Sequence, residues 1–182
     1  MTRVAADGRG PILARWARAQ LRDALGGAAA ERPVGAWCDE PGASFVSLHW
    51  KDTGDLQGCI GTLEAVRGIV DDVARNAVAA GTCDPRFPPC ELADVDRLDI
   101  DLSILSPLEP LRGPEQIRAG IDGIVLVRGH RRATFLPAVW EHLPTVERFL
   151  EELRRKAGLP GDFAGAVQLL RYTVDHYADP AP

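Results

Sequence analysis

Residues 97–106, RLDIDLSILS, alternate without a break, with Leu98, Ile100, Leu102 and Ile104 on one side and Asp99, Asp101 and Ser103 on the other. A period of two sets successive side chains on opposite faces of a strand. One apolar face and one charged face describe a sheet packed on a core on one side and wet on the other. Antiparallel sheets take that form more readily than parallel ones, whose crossover helices bury both faces. Any fold of this chain must therefore cover one side of this strand and leave the other open.

Helical stretches supply the cover. Residues 11–30 open on Pro11, repeat Ile12, Leu13, Trp16, Ala17, Leu21, Ala24 and Leu25 at helical spacing, and stop at Gly26-Gly27. Residues 66–81 carry Ile69, Val70, Val73, Ala74, Ala77 and Val78 on one face, with a glycine as terminator. Residues 145–160 line up Val146, Phe149, Leu150 and Leu153, with Gly158 as C-cap and Pro160 beyond. Between these lie strand signals: 43–50 and 55–63 form a hairpin about KDTG, and 121–137 form a second, turning near Arg128-Gly129-His130. Residues 168–177 also alternate and read as a strand in preference to a helix, and 113–120 suit one or two helical turns. The ends, 1–10 and 178–182, read as frayed.

Hairpins and helices mixed without a βαβ rhythm specify an α+β fold, with a mainly antiparallel sheet flanked by helices. At 182 residues the chain reads as a single domain, 1–182, with its core between about residues 12 and 177. A net charge of −5 and the lack of a basic, aromatic-interleaved stripe argue against nucleic acid as a partner. No apolar run approaches the roughly 18 residues of a membrane span, and the N-terminus lacks a signal-peptide core, so a cytoplasmic location is expected. There Cys38, Cys59, Cys83 and Cys90 would be reduced thiols. None sits in a CxxC pair, so no metal is expected, and no fingerprint of a cofactor is present. Richness in alanine and arginine, with Lys51 and Lys156 the only lysines, suggests a GC-rich bacterial genome.

Chemistry concentrates in two short stretches. DLQGCIGTL, 55–63, sets Gly58 and Gly61 around Cys59 inside a strand. It is neither a phosphate-cradling loop nor a dinucleotide fingerprint. Glycine within a strand often marks close approach by a ligand or another backbone. Cys59 has two readings: a small buried hydrophobe, or a nucleophile activated by one of His49, His130, His142 or His176. In CDPRFPP, 83–89, Pro85, Pro88 and Pro89 stiffen a loop that holds Arg86 at a defined angle. Arg86 either faces an anionic ligand or pairs with a structural carboxylate, with Phe87 anchoring the loop. Asp99 and Asp101 read as a solvated sheet face, and WEH at 140–142 is not the zinc-protease motif.

In order along the chain, LQGCIG (56–61), DPRFPP (84–89), LSILSP (102–107), GIDGIVL (120–126), FLP (135–137) and KAGL (156–159) resemble the AMMECR family, whose microbial members are called AmmeMemoRadiSam system protein A. The resemblance runs from about Ile12 to Tyr177. It implies an antiparallel sheet with flanking helices and a smaller subdomain. It also implies association with Memo-like proteins and with radical S-adenosylmethionine proteins, without a settled catalytic activity. Gly58, Cys59, Ile60 and Gly61 match the family's motif core, as do Asp84, Pro85, Arg86 and Phe87, whereas Gln57 stands where the family's LRGCIG has arginine. The expected role is an accessory domain presenting a cleft to a small ligand or to those partner proteins through Gln57, Gly58, Gly61, Asp84 and Arg86. The rival is an enzyme with Cys59 as nucleophile or covalent carrier and Arg86 orienting an anionic substrate.

Overall fold

The computed structural model describes residues 8–159 and 167–178. The described residues form two compact units, one of residues 8–105 and 175–178, the other of residues 106–159 and 167–174. In chain order the elements are α1 (Arg9–Ala24), β1 (Pro41–Trp50), β2 (Leu56–Gly61), β3 (Arg67–Gly68), α2 (Ile69–Thr82) and β4 (Leu98–Leu105). There follow β5 (Glu109–Leu111), β6 (Gly123–Arg128), β7 (Arg131–Phe135), α3 (Val146–Lys156), β8 (Gln168–Tyr172) and β9 (Val174–Ala178). The fold class is α+β, built on antiparallel pairing as the alternation requires.

The first unit is a sheet in the order β2-β1-β4-β9, with β3 added at the start of β1. Its apolar face, Val46 and Leu48 of β1 and Leu98, Ile100 and Leu102 of β4, packs in one core with Leu13, Trp16, Ala17 and Leu21 of α1 and Val70, Val73, Ala77 and Ala80 of α2. Trp16 completes its burial by donating its indole N–H to the carbonyl of Val70 at 3.0 Å. The opposite face, with Ser47, His49, Asp99, Asp101 and Ser103, stays half-buried.

The second unit is a sheet in the order β5-β8-β6-β7, all antiparallel. Ile124 and Leu126 of β6 and Leu169 of β8 meet Phe149, Leu150 and Leu153 of α3 and Trp140 in its core. The Trp140 and Phe149 rings stack at 3.8 Å. Asp122 is fully buried and accepts from Arg118 at its backbone N–H, 2.9 Å, and at its guanidinium, 2.6 Å, so the turn into β6 is tied by one carboxylate.

Several expectations need correction. Gly81 does not end α2: the helix runs on to Thr82, and Gly81 is buried within it, where a Cβ would sit 2.5 Å from the Leu21 side chain. Ile12 and Ala24 fall outside the buried stripe of α1. Residues 168–177 are not one strand but two, broken at Thr173 and shared between the two sheets. Arg9 and Gly10 of the supposedly frayed start open α1, and Ala178 closes β9; the remainder of both ends lies outside the described residues.

Candidate functional site

β2 is an edge strand, and its register decides what its backbone offers. Phe45 lies opposite Gly61, Val46 opposite Ile60, Ser47 opposite Cys59 and Leu48 opposite Gly58. Thr62 N–H donates to Ser44 O at 2.9 Å, which makes 44–62 a hydrogen-bonded pair. In an antiparallel ladder such pairs alternate with pairs that exchange no bonds, so the N–H and C=O of Cys59 point away from β1. The segment after α2 meets them. Asp84 Oδ2 accepts from the Cys59 N–H at 2.9 Å, and Arg86 Nη2 donates to the Cys59 carbonyl at 3.4 Å.

The sequence Asp-Pro-Arg-Phe builds this contact locally. Phe87 N–H donates to Asp84 O at 3.2 Å, closing a β-turn with Pro85 in the position proline favours. Asp84 Oδ1 accepts from the Arg86 N–H at 3.1 Å, the side-chain turn typical of aspartate. Arg86 also donates through Nε to Oδ1, 2.9 Å, and through Nη2 to Oδ2, 2.6 Å. Asp84 is buried while the Arg86 side chain is 55% exposed. Hydrogen bonds from Arg86 hold the Asp84 carboxyl well below the usual carboxylate range, against the opposing effect of burial, and the same pairing raises Arg86. Of the two readings of Arg86, the structural carboxylate is present, and it lies in the same turn. Phe87 is half-buried, with the Arg86 guanidinium 5.2 Å from its ring centroid.

Gln57 sits at a bulge, where the pairing slips from Leu48–Gly58 to His49–Leu56. Its side chain is buried and spent inside the fold: Nε2 donates to Pro88 O at 2.7 Å, and Oε1 accepts from Trp50 Nε1 at 3.1 Å. The two glycines serve neighbours other than the proline loop. A Cβ on Gly58 would lie 2.0 Å from the carbonyl oxygen of Ala80 in α2, and one on Gly61 would lie 2.2 Å from the ring of Phe45. The proline loop itself meets Cys59 and Gln57, between and beside the glycines.

The Cys59 thiol is half-exposed, and its sulfur accepts from Ser47 Oγ at 3.2 Å across the strand pair. His49, on the same strand as Ser47, has Nδ1 3.2 Å from Gly54 O and Nε2 3.7 Å from Asp101 Oδ2. The Gly54 carbonyl only accepts, so Nδ1 carries the proton in that bond. His130 and His142 belong to the second unit, and His176 lies on β9. Cys38 and Cys90 are buried and Cys83 is exposed. Among the described residues no group of three or more His, Cys, Asp or Glu side chains is placed to hold a metal ion, and no helix is long and apolar enough to cross a membrane.

One polar centre escaped the sequence reading. Asp72 in α2 is fully buried and accepts from Ser44 at its N–H (2.9 Å) and Oγ (2.8 Å), from Thr62 Oγ1 (2.6 Å) and from Arg67 (2.8 Å). Asn76, one turn on, donates to Ser44 O and Thr62 Oγ1 at 3.0 and 2.9 Å. The only signal was two polar residues four apart along an otherwise apolar helix face.

The sequence profile of the AMMECR1 family matches residues 14–177. A protein from Thermotoga maritima is 39% identical over 135 residues, covering 74% of this chain and 76% of its own length. Protein MJ0810 of Methanocaldococcus jannaschii is 33% identical over 184 residues, covering 95% and 91%. The crystal structure of the uncharacterized protein PH0010 from Pyrococcus horikoshii superposes with a TM-score of 0.84 at 29% identity, covering 95% of this chain and 92% of that one. The relatives are largely archaeal, so they add nothing to the bacterial origin expected from composition. The fold, the residues matched and these identities agree that the chain belongs to the AMMECR1 family.

Proposed function

We propose that this chain is a non-catalytic binding domain, which offers the half-buried outer face around Cys59, with the DPRFPP turn at its rim, to a small ligand or to a partner protein of the Memo-like or radical S-adenosylmethionine kind. The observation that carries this reading is how the polar groups near Cys59 are engaged. Asp84 and Arg86 close on each other and on the Cys59 backbone, Gln57 bridges Trp50 and Pro88, and His49 is held between Gly54 and Asp101. A nucleophilic thiol needs a base, a cation or a helix N-terminus acting on its sulfur; the hydrogen-bond partner of this sulfur is the hydroxyl of Ser47, and the Arg86 guanidinium, which also interacts electrostatically with Cys59, is already paired with Asp84. A rigid surface of half-exposed side chains suits recognition better than turnover. Its polar members, Ser47, Asp101 and the outer edge of Arg86, give it both donors and acceptors. The reading also places the domain in the cytoplasm, with its four free cysteines reduced.

Co-expression with Memo-like and radical S-adenosylmethionine proteins tests the idea. A complex should be recovered and should weaken on Arg86→Glu. If none of these candidates is retained by the wild-type chain, the reading fails.

The enzymatic alternative keeps two observations in its favour: Cys59 is half-exposed, and its sulfur already accepts a hydrogen bond. Native-state labelling with limiting iodoacetamide distinguishes the two, since a catalytic Cys59 must outrun the exposed Cys83.

A further inference from the structure

The free edge of β2 needs explaining in its own right. An edge strand displays unpaired N–H and C=O groups that invite another strand, and proteins blunt such edges with charges, prolines and bulges. All three meet at Cys59. A neighbouring strand would set one carbonyl against the Cys59 N–H and one N–H against its carbonyl. Asp84 supplies the acceptor at 2.9 Å and Arg86 the donor at 3.4 Å. The Asp84–Arg86 pair keeps its shape through its own turn, so it stands ready without a ligand. Pro85, Pro88 and Pro89 carry no N–H, so the loop itself makes a poor strand for a second chain. The bulge at Gln57 interrupts the edge two residues earlier, and the Gln57 amide ties it to Pro88.

We propose that the Asp84–Arg86 pair is a strand-edge guard: a side-chain imitation of a neighbouring strand that occupies the outward rung of Cys59 and prevents β2 from pairing with β2 of a second copy of this chain. This assignment stands independently of any ligand the surface takes. It gives the DPRFPP turn a task that its residues explain, since the Asp84 acceptor and the Arg86 donor together straddle one backbone unit.

The test uses the full chain carrying Asp84→Ala or Arg86→Ala. At low concentration the Cys59 amide should exchange with solvent about ten- to a hundredfold faster in Asp84→Ala, the loss expected for a hydrogen bond to a charged acceptor. As concentration rises, sedimentation should show the variant associating, and the Cys59 amide should become protected again because the new contact lies on that edge. Wild type should stay unassociated over the same range. If Asp84→Ala does not fold, Arg86→Ala decides, because that side chain is 55% exposed and its removal leaves the core intact. Folded variants that remain monomeric at the highest concentration overturn the proposal, even if their exchange is faster. So does a wild type that already associates through this edge.

Discussion

Gly58→Ala tests how closely the motif strand is fitted to the helix behind it. The added Cβ would lie 2.0 Å from the carbonyl oxygen of Ala80 and 2.9 Å from its carbonyl carbon. Carbon–oxygen contacts settle at about 3.3 Å or more, so strand and helix must part by about 1.3 Å. Neither can do so by turning a side chain, because the obstacle is backbone. Gly58 pairs with the fully buried Leu48, and Ala80 is 2% exposed. Overpacking of this kind costs about 1–3 kcal/mol, and a backbone obstacle belongs at the upper end. Removing a glycine from the unfolded chain returns about 0.4–1 kcal/mol. The net loss is then about 2 kcal/mol, or about 4–8 °C in melting temperature for a chain of this length. Gly61→Ala is the comparison, because its Cβ meets the side chain of the half-buried Phe45 rather than backbone. Its cost should stay below about 1 kcal/mol. Thermal melts and urea titrations of both variants give the order. A Gly58→Ala protein within about 0.5 kcal/mol of wild type, or one more stable than Gly61→Ala, would refute the close-approach argument.

Asp72→Ala should lower stability by about 3–5 kcal/mol in urea titration, because it strands Arg67 and the donors of Ser44 and Thr62 around a buried void; a loss below about 1 kcal/mol would mean the hub is redundant. The stability gap between wild type and Asp84→Asn should be flat above the ordinary carboxylate value of 3.8 and narrow as pH falls below it, since the unfolded carboxyl takes up its proton before the folded one. A gap that already closes near neutral pH would contradict the depressed Asp84. Under limiting iodoacetamide, exposure orders the thiols as Cys83, then Cys59, with Cys38 and Cys90 last; burial also pushes the Cys90 thiol up. Peptide mass mapping checks the order, and early labelling of Cys38 or Cys90 would contradict their burial.

The parts legible in the sequence are those that bury apolar side chains at a regular period. Leu98, Ile100 and Leu102 announced β4, and Val70, Val73 and Ala77 announced α2. Hydrophobic period reports which face is covered, and it is silent on hydrogen-bond partners. It therefore gives no sign that Asp72 and Asn76 lie at the centre of a buried network. Gln57 drew notice as a departure in charge, while its actual work is a bridge between an indole and a proline carbonyl. The DPRF turn was legible as a rigid loop, because proline and aspartate chemistry is local. Its contact with Cys59 was not, because it joins residues 25 positions apart in the chain. The two-residue β3 and the three-residue β5 are too short for any periodicity to register.

The segment from Gln168 to Ala178 has a consequence for how this chain tolerates change in length. Its two halves belong to separate strands: Leu169 and Tyr172 are the buried residues of β8, Val174 and Tyr177 those of β9, and Thr173 belongs to neither strand. A strand has a frame of two residues, so inserting or deleting one inverts every side chain beyond the change. Within β8 or β9 such an event scrambles one sheet and spares the other. Thr173 is the punctuation mark between them, the position in this stretch where a residue can be gained without shifting either frame.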